Sequence, residues 1–255
     1  DDLLGGGGGG GGGGSAADKE KMYSLLVSGQ GTLCEDATMV VQCQAAFQGN
    51  MGKIMLRYQN KTQGAIDSLN VQVQNVPYLQ LQKQDMPPLI GPGGVNMQQI
   101  QFQVRNDFAE PPTLSISFNC QGQPKTFNTW VPASICKFLQ PVTCNKDQYF
   151  GVWGKINGAP NEITQVFRSK KPVVKSEVEA IVASAKYSVL QAVDPNPNNV
   201  VGAAKLNLGA GDIYCVLRLE IEMGQSAFKL TIKTNSPAVT DGTKEFLMMQ
   251  LAAPQ

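Results

Sequence analysis

The sequence predicts an antiparallel β-sandwich followed by an α+β domain, because its composition and hydrophobic pattern change twice along the chain. Residues 1–22 are dominated by ten consecutive glycines at 5–14. Short β-prone segments separated by turn residues then extend from about Met22 to Gln140. Beyond "KFLQP" (137–141), helical and β-prone segments are segregated along the chain, as in α+β domains. The expected boundaries are 1–22, 23–140 and 141–255.

The first segment, 1–22, is predicted to be a flexible glycine-rich linker. Glycine loses more conformational freedom on ordering than any other residue, so a run of ten behaves as a tether. The acidic dileucine start, Asp1 to Leu4, is either a short peptide motif in a hinge or a chance sequence.

The second segment, 23–140, alternates apolar and polar residues as half-buried strands do. In "IQFQVRN", Ile100, Phe102 and Val104 share one face, with glutamines and an arginine on the other. Leu114, Ile116 and Phe118 form a similar set in "TLSISFNC". About seven such strands with proline- and glycine-containing breaks predict an antiparallel sandwich. The predicted strands cover 38–47, 52–60, 69–76, 78–82, 96–107, 113–120 and 125–131.

Two helices are predicted at the start of the third segment, 141–255. Asn145 or Asp147 can cap a helix that continues through Trp153. A second helix is expected in "NEITQVFRSK" (161–170), because its apolar residues fall at i, i+3 and i+4.

Further elements complete this predicted antiparallel sheet flanked by helices. Ser176 and Glu179 have the spacing of a capping box ahead of a helix in "VEAIVASA". A closing helix is expected at 243–252. The remaining predicted strands cover 186–193, 199–208, 213–222 and 227–234.

Composition argues against several classes of function. Twenty-one basic and twenty acidic side chains give a net charge of +1, so no overall field favours nucleic acid or an acidic membrane. The chain has no histidine, which removes the commonest general base and every Ser-His or Cys-His nucleophile. No phosphate-binding glycine motif appears either. We therefore expect a non-enzymatic protein without a cofactor or a metal.

The cysteine pattern and hydropathy favour a cytosolic protein. None of the six cysteines has C-x-x-C spacing, so reduced thiols are favoured over a disulfide framework. Neither a signal peptide nor an apolar run long enough to span a bilayer is present, and no membrane insertion is expected.

A cluster of aromatic residues in "NKDQYFGVWGKI" (145–156) is the first candidate site. At helical spacing, Tyr149, Phe150 and Trp153 form one aromatic surface. That surface is either the core face of the helix or a docking surface. Gly151 and Gly154 leave little bulk to cover the rings, which weakens the core interpretation without deciding between the two.

Basic residues on two strands supply the second half of the candidate site. If 213–222 and 227–234 pair through "MGQSA", Arg218, Lys229 and Lys233 lie on one face. Such a face is either simply solvated or a partner for anionic groups. Beside an aromatic shelf, it suits short peptides that carry an aromatic ring and an aspartate.

Several segments, in a shared order, resemble the C-terminal appendage of alpha-adaptin, the large subunit of the plasma-membrane clathrin adaptor complex. They are "KFLQP", "DQYFGVWGKI", "VDPNPNNVVGA" (193–203) and "LRLE" (217–220). Upstream, "GNMGKIMLRYQNKT" (49–62) and "RNDFAEPPTLSISF" (105–118) are similar to the family's sandwich strands. The resemblance thus covers nearly all of 23–255.

The resemblance implies an all-β immunoglobulin-like sandwich followed by an α+β platform subdomain that binds DPF/DPW and FxDxF motifs. In this sequence, lysines stand at 229 and 233, where the family often has arginines. Lysine keeps the charge but loses the bidentate fork. The implied platform residues are Tyr149, Phe150, Trp153, Arg218, Glu220, Lys229 and Lys233.

The family's sandwich carries a second groove for tryptophan-containing motifs. Matched to this sequence, it involves Gln59, Asn60 and Lys61, while Ile66 and Leu69 replace the aromatic residues that usually follow.

The implied partners are endocytic accessory proteins with disordered motifs, adaptor subunits reached through an upstream trunk, and, indirectly, the clathrin coat. The implied location is the cytoplasmic side of the plasma membrane at coated pits. Two alternatives stay open: an appendage of beta-adaptin or coatomer type, and a structural sandwich module without a peptide site.

Overall fold

The computed structural model describes residues 14–209, 211–221 and 226–253. Its N-terminal half is a sandwich of two antiparallel sheets, with strand orders β1-β2-β3-β6-β5 and β4-β7-β8. The predicted immunoglobulin-like sandwich is thus confirmed. The strands are β1 Gln30–Glu35, β2 Met39–Gln48, β3 Met51–Asn60, β4 Ile66–Val73, β5 Leu79–Lys83, β6 Val95–Val104, β7 Thr113–Cys120 and β8 Gln123–Trp130.

The predicted alternation determines which face of each sheet forms the core. Ile100, Phe102 and Val104 are all buried, whereas Gln101 and Gln103 are partly exposed. Strand β1 was not predicted, since "QGTLCE" buries only the adjacent Leu33 and Cys34 and shows no alternation.

A helix before the sandwich, α1 (Ala16–Ser28), corrects the prediction of a linker over 1–22. Ser15 and Asp18 form a capping box at its start, and Gly29 ends it with a φ of 78°. Four apolar residues of α1 pack into the core: Met22, Tyr23, Leu25 and Leu26. The prediction is therefore wrong for residues 16–22, while residues 1–13 lie outside the described residues.

The C-terminal half is an antiparallel sheet between helices, as predicted. The strand order is β10-β14-β13-β12-β11, with β9 also paired to β12. The strands are β9 Gln140–Pro141, β10 Glu162–Arg168, β11 Ser188–Leu190, β12 Val200–Asn207, β13 Asp212–Ile221 and β14 Ala227–Thr234. The helices are α2 Lys146–Lys155, α3 Lys175–Ser184 and α4 Pro237–Leu251.

The predicted helix at 161–170 is wrong, since β10 occupies this segment. The side chains of Ile163 and Phe167 both lie on the inner face of the sheet. There Phe167 stacks on Phe228 of β14, with 5.3 Å between the ring centroids. Val166 instead points outward, and 66% of it is exposed. Pairing with β14 therefore overrides a helical spacing that rested on three residues.

Two helix starts also differ from prediction. Val174 precedes α3 without a side-chain cap, so the predicted Ser176–Glu179 capping box does not form the start. Helix α4 begins six residues early, where Ser236 caps it and Pro237 occupies its first turn.

The two halves share a continuous core, which α4 joins to the sandwich. A Cβ on Gly242 of α4 would lie 2.7 Å from Ile135 Cγ2, so only glycine permits this approach. The 3₁₀ turn Ile135–Phe138 links the halves. Its Lys137 Nζ donates a hydrogen bond to the Ser184 carbonyl at 2.7 Å and lies 5.2 Å from the Phe246 ring centroid.

Burial lowers the pKa of Lys137 from 10.5 to about 8, with the nearby Lys186 charge acting in the same direction and Cys136 opposing it. Between these values the unfolded chain binds more protons than the fold, so stability rises with pH. We expect the unfolding free energy of the wild type, relative to Lys137→Met, to rise by about 1 kcal/mol from pH 8 to 9. Urea unfolding at both pH values measures this difference. Both proteins retain all cysteines, so parallel pH profiles would contradict the prediction.

All six cysteines are free thiols, as the sequence favoured. Burial raises the pKa of Cys34 and of Cys43 to about 12, which keeps both thiols protonated at neutral pH. Across the described residues, no helix combines the length and apolar character needed to cross a bilayer.

Candidate functional site

Helix α2, which carries the three aromatic residues, begins at the predicted cap and covers the predicted segment. Asn145 caps it, and its side chain and that of Gln148 each accept a hydrogen bond from the other's backbone N–H, at 2.9 and 3.0 Å. The helix lies on the outer face of the platform sheet, on the opposite side from α3 and α4. The predicted cap and extent are confirmed.

Tyr149 anchors α2 to the sheet instead of facing solvent. Only 1% of it is exposed, and its hydroxyl donates to the Leu217 carbonyl at 3.0 Å. It packs in a small cluster that includes Val201, Ala203 and Val216. Burial raises the pKa of Tyr149 well above its usual range, so the hydroxyl stays protonated. The expectation that Tyr149 contacts a peptide is therefore wrong.

Tyr149→Phe separates this anchoring role from binding. Loss of the buried hydrogen bond should lower the unfolding free energy by about 1 kcal/mol. Peptide affinity should stay within about twofold, because the ring remains. Urea unfolding and calorimetric titration of the same variant measure the two effects. Weaker binding at unchanged stability would place Tyr149 back among the peptide contacts.

The other two rings reach the surface. Phe150 is 37% exposed and packs edge-on against Tyr149, whereas Trp153 is half-buried and stacks on Tyr149 at 5.7 Å between centroids. A Cβ built on Gly151 or Gly154 meets nothing within 4 Å, so the helix surface beside the rings is open. The buried Tyr149 thus supports an apolar shelf formed by Phe150 and Trp153.

The predicted hairpin of β13 and β14 places the charged residues beside this shelf. Its register pairs Arg218 with Thr231 and Glu220 with Lys229, all on the outer face. Lys233 pairs with Val216 on that face, under the end of α2. The shared face is confirmed, although most of the connecting turn (222–225) lies outside the described residues.

Lys233 is covered by Trp153 and does not line the open face. It is 4% exposed, and its Nζ lies 4.8 Å from the Trp153 ring centroid. The ammonium donates to the Trp153 carbonyl at 3.2 Å and to Asn157 Oδ1 at 3.1 Å, and Glu162 Oε1 lies 3.4 Å away. The expectation of a direct peptide contact is wrong for Lys233, which instead holds the base of the shelf.

Arg218 lies on the open face, and its ion-pair partner Asp194 is a residue that the sequence pattern does not predict. Its Nε donates to Asp194 Oδ2 at 2.6 Å and its Nη2 lies 3.4 Å from Asp194 Oδ1. Glu220 lies 3.5 Å from Arg218 Nη1 and 3.0 Å from Lys229 Nζ. These partly exposed charges form a chain across the two strands. The run "VDPNPNN", which contains Asp194, gives no local signal of this contact, because the two residues are 24 positions apart in sequence.

The predicted sandwich site is occupied by internal contacts. Asn60 is fully buried, donates to three backbone carbonyls and accepts two hydrogen bonds from Thr62. Gln59 accepts from Arg57 at 2.8 Å, and Lys61 pairs with Glu35 at 2.7 Å. Asn60 is therefore a structural residue, and its predicted peptide contact is wrong. Gln59 and Lys61 remain partly exposed, and their role stays a prediction. Ile66 and Leu69 are buried as well.

The platform face combines an open apolar shelf with a fixed guanidinium. Such a surface can desolvate an aromatic ring and bind a carboxylate, which suits short peptides. A more enclosed cavity of about 260 Å³ lies elsewhere, between α3 and the end of α4, and is lined by Val178, Ile181 and Phe228.

Comparisons with known families cover both halves of the chain. A family model described as "Alpha adaptin AP2, C-terminal domain" matches residues 137–251. A second, described as "Adaptin C-terminal domain", matches residues 29–131. Together they span the sandwich and the platform in the predicted order.

Curated relatives show the same similarity. The chain is 31% identical over 230 residues to "AP-2 complex subunit alpha-2" of Dictyostelium discoideum, which covers 89% of this chain and 23% of that protein. It is 25% identical over 234 residues to "AP-2 complex subunit alpha-1" of Arabidopsis thaliana, with 91% and 23% covered. The chain thus spans about a quarter of the length of these relatives.

Among solved structures, the GAE domain of GGA2p from Saccharomyces cerevisiae is similar over 41% of this chain and 96% of its own, with 9% identity. Its TM-score of 0.36 is too low to add to the functional comparison.

Proposed function

Because this chain belongs to the alpha-adaptin family of C-terminal appendages, we propose that it recruits endocytic accessory proteins by binding short DPF/DPW and FxDxF peptide motifs. The observation that carries the proposal is the open Phe150–Trp153 shelf on the same face of the sheet as Arg218. The aromatic residue of the motif packs on the shelf, and its aspartate pairs with the guanidinium.

The proposal includes a place in the cell. The appendage acts on the cytoplasmic side of the plasma membrane at clathrin-coated pits, joined to the other adaptor subunits through an upstream trunk. It contacts the clathrin coat indirectly and has no catalytic role. Weak single-motif binding is multiplied by several motifs per partner and many appendages per coat. The similarity to alpha-adaptin models favours this assignment over the beta-adaptin and coatomer alternatives.

Calorimetric titration with an FxDxF peptide and a DPF peptide tests the proposal. We expect dissociation constants of roughly 10⁻⁶ to 10⁻⁴ M. Two matched peptides, one with aspartate replaced by asparagine and one with the phenylalanines replaced by alanine, should bind at least about fivefold more weakly. Equal heats for all peptides, or none up to millimolar concentration, would rule out the proposed recognition.

Lys229 allows the arginine-to-lysine departure from the family to be tested. It is half-exposed and paired with Glu220. Lys229→Arg supplies a bidentate fork at the open face, so affinity for an aspartate-containing peptide should rise about two- to fivefold. Lys175→Arg, on α3 and paired with Glu179, is the matched control and should leave the titration unchanged. An effect of equal size in both variants would mean that position 229 has no specific role.

A further inference from the structure

We propose that Asp194 is the positioning residue that holds Arg218 for the carboxylate of a bound peptide. The inference rests on the proposed function and deepens it. Asp194 lies outside the peptide-facing surface: its side chain is only 4% exposed, compared with 31% for Arg218. Its hydrogen-bond partners are Arg218 and two asparagines of its own loop, so Arg218 is its link to the peptide-facing surface.

The loop "DPNPNN" fixes the orientation of the Asp194 carboxylate. Its Oδ1 accepts from the Asn196 backbone N–H at 2.9 Å and from Asn199 Nδ2 at 3.1 Å. Its Oδ2 remains for Arg218 Nε at 2.6 Å. The loop therefore presents a carboxylate of fixed orientation to Arg218.

Asp194 engages one edge of the guanidinium and leaves Nη1 to other acceptors. Its carboxylate accepts from Nε at 2.6 Å and from Nη2 at 3.4 Å, whereas Nη1 lies 3.5 Å from Glu220 Oε1. A guanidinium presents five N–H donors in a rigid fork, so occupation of one side orients the remaining donors. A peptide carboxylate then binds an arginine whose rotamer is already fixed, and it competes only with the weaker Glu220 contact.

Asp194 should affect the affinity for peptides that carry a carboxylate, and leave the affinity for other peptides nearly unchanged. Asp194→Asn keeps the size of the side chain but removes its charge. Calorimetry should show an FxDxF peptide binding about five- to tenfold more weakly, while the peptide with asparagine at that position changes less than about twofold. A merely structural role would weaken both peptides alike.

The matched control is Asp212→Asn. Asp212 lies on the same strand as Arg218, six residues before it, and pairs with Lys205 at 3.1 Å. It should leave both titrations unchanged. Equal losses for the two peptides in Asp194→Asn, or no loss, would overturn the inference.

A second variant covers the case in which Asp194→Asn does not fold. Asn199→Ala removes one hydrogen bond from Asp194 without changing any charge. The aspartate peptide should then lose about two- to threefold in affinity, with the asparagine peptide again unchanged. An absence of this selectivity would overturn the inference. If the wild type binds neither peptide, the proposed function fails first, which distinguishes the two outcomes.

Discussion

Replacement of Trp153 by alanine should reduce the affinity for an FxDxF or DPF peptide by at least about tenfold. Trp153 supplies the larger ring of the shelf, and buried aromatic anchors dominate the energetics of small interfaces. Calorimetry on the wild type and the variant measures the effect. Unfolding of Trp153→Ala must be followed as well, because the indole also covers Lys233.

Tyr214→Ala is the matched control for Trp153→Ala. Tyr214 is an aromatic residue on β13 with 47% of its surface exposed, four positions from Arg218. Its removal should leave peptide affinity unchanged. Full affinity in Trp153→Ala would eliminate the shelf as the binding surface.

Replacement of Tyr23 by alanine should have the largest effect on stability. Tyr23 is fully buried, packs edge-on against Phe246 of α4 at 5.9 Å and donates to Glu245 at 2.9 Å. Removal of a buried aromatic side chain costs about 3–5 kcal/mol. Urea unfolding monitored by circular dichroism would measure the loss.

Ser24→Ala, at the neighbouring exposed position of α1, should change the unfolding free energy by less than about 0.5 kcal/mol. If Tyr23→Ala were equally mild, α1 would contribute nothing to the fold and the linker interpretation would return for residues 16–22.

Local signals made much of the fold and half of the site predictable. The sandwich strands follow from residues such as Ile100 and Phe102, whose alternation alone identifies the buried face. Helix α2 follows from the cap at Asn145, which is encoded within one turn. The shared face of Arg218 and Lys229 follows from the side-chain period of two.

The features that the sequence did not predict depend on contacts between residues distant in sequence. Strand β10 forms because Ile163 and Phe167 find partners on β14 more than 60 residues away, and their own spacing also fits a helix. Lys233 was placed on the right face, but the helix that covers it comes from residues 146–155. Asp194 contributes through a contact with Arg218 that only tertiary packing creates.

The linker prediction for residues 16–22 was wrong for a different reason. The neighbouring glycines suggested a linker that continued into this segment. The capping box of Ser15 and Asp18 and the apolar residues Met22 and Tyr23 were the local signals of a helix.

Mapping of a bound peptide on the protein by ¹H–¹⁵N NMR tests the central claim most directly. On titration with an FxDxF peptide, the largest shifts should fall on the Trp153 indole N–H and the amides of Phe150, Gly151 and Arg218. The sandwich, including Gln59, should shift little. Largest shifts on the sandwich, or none at α2 under saturating peptide, would contradict the account.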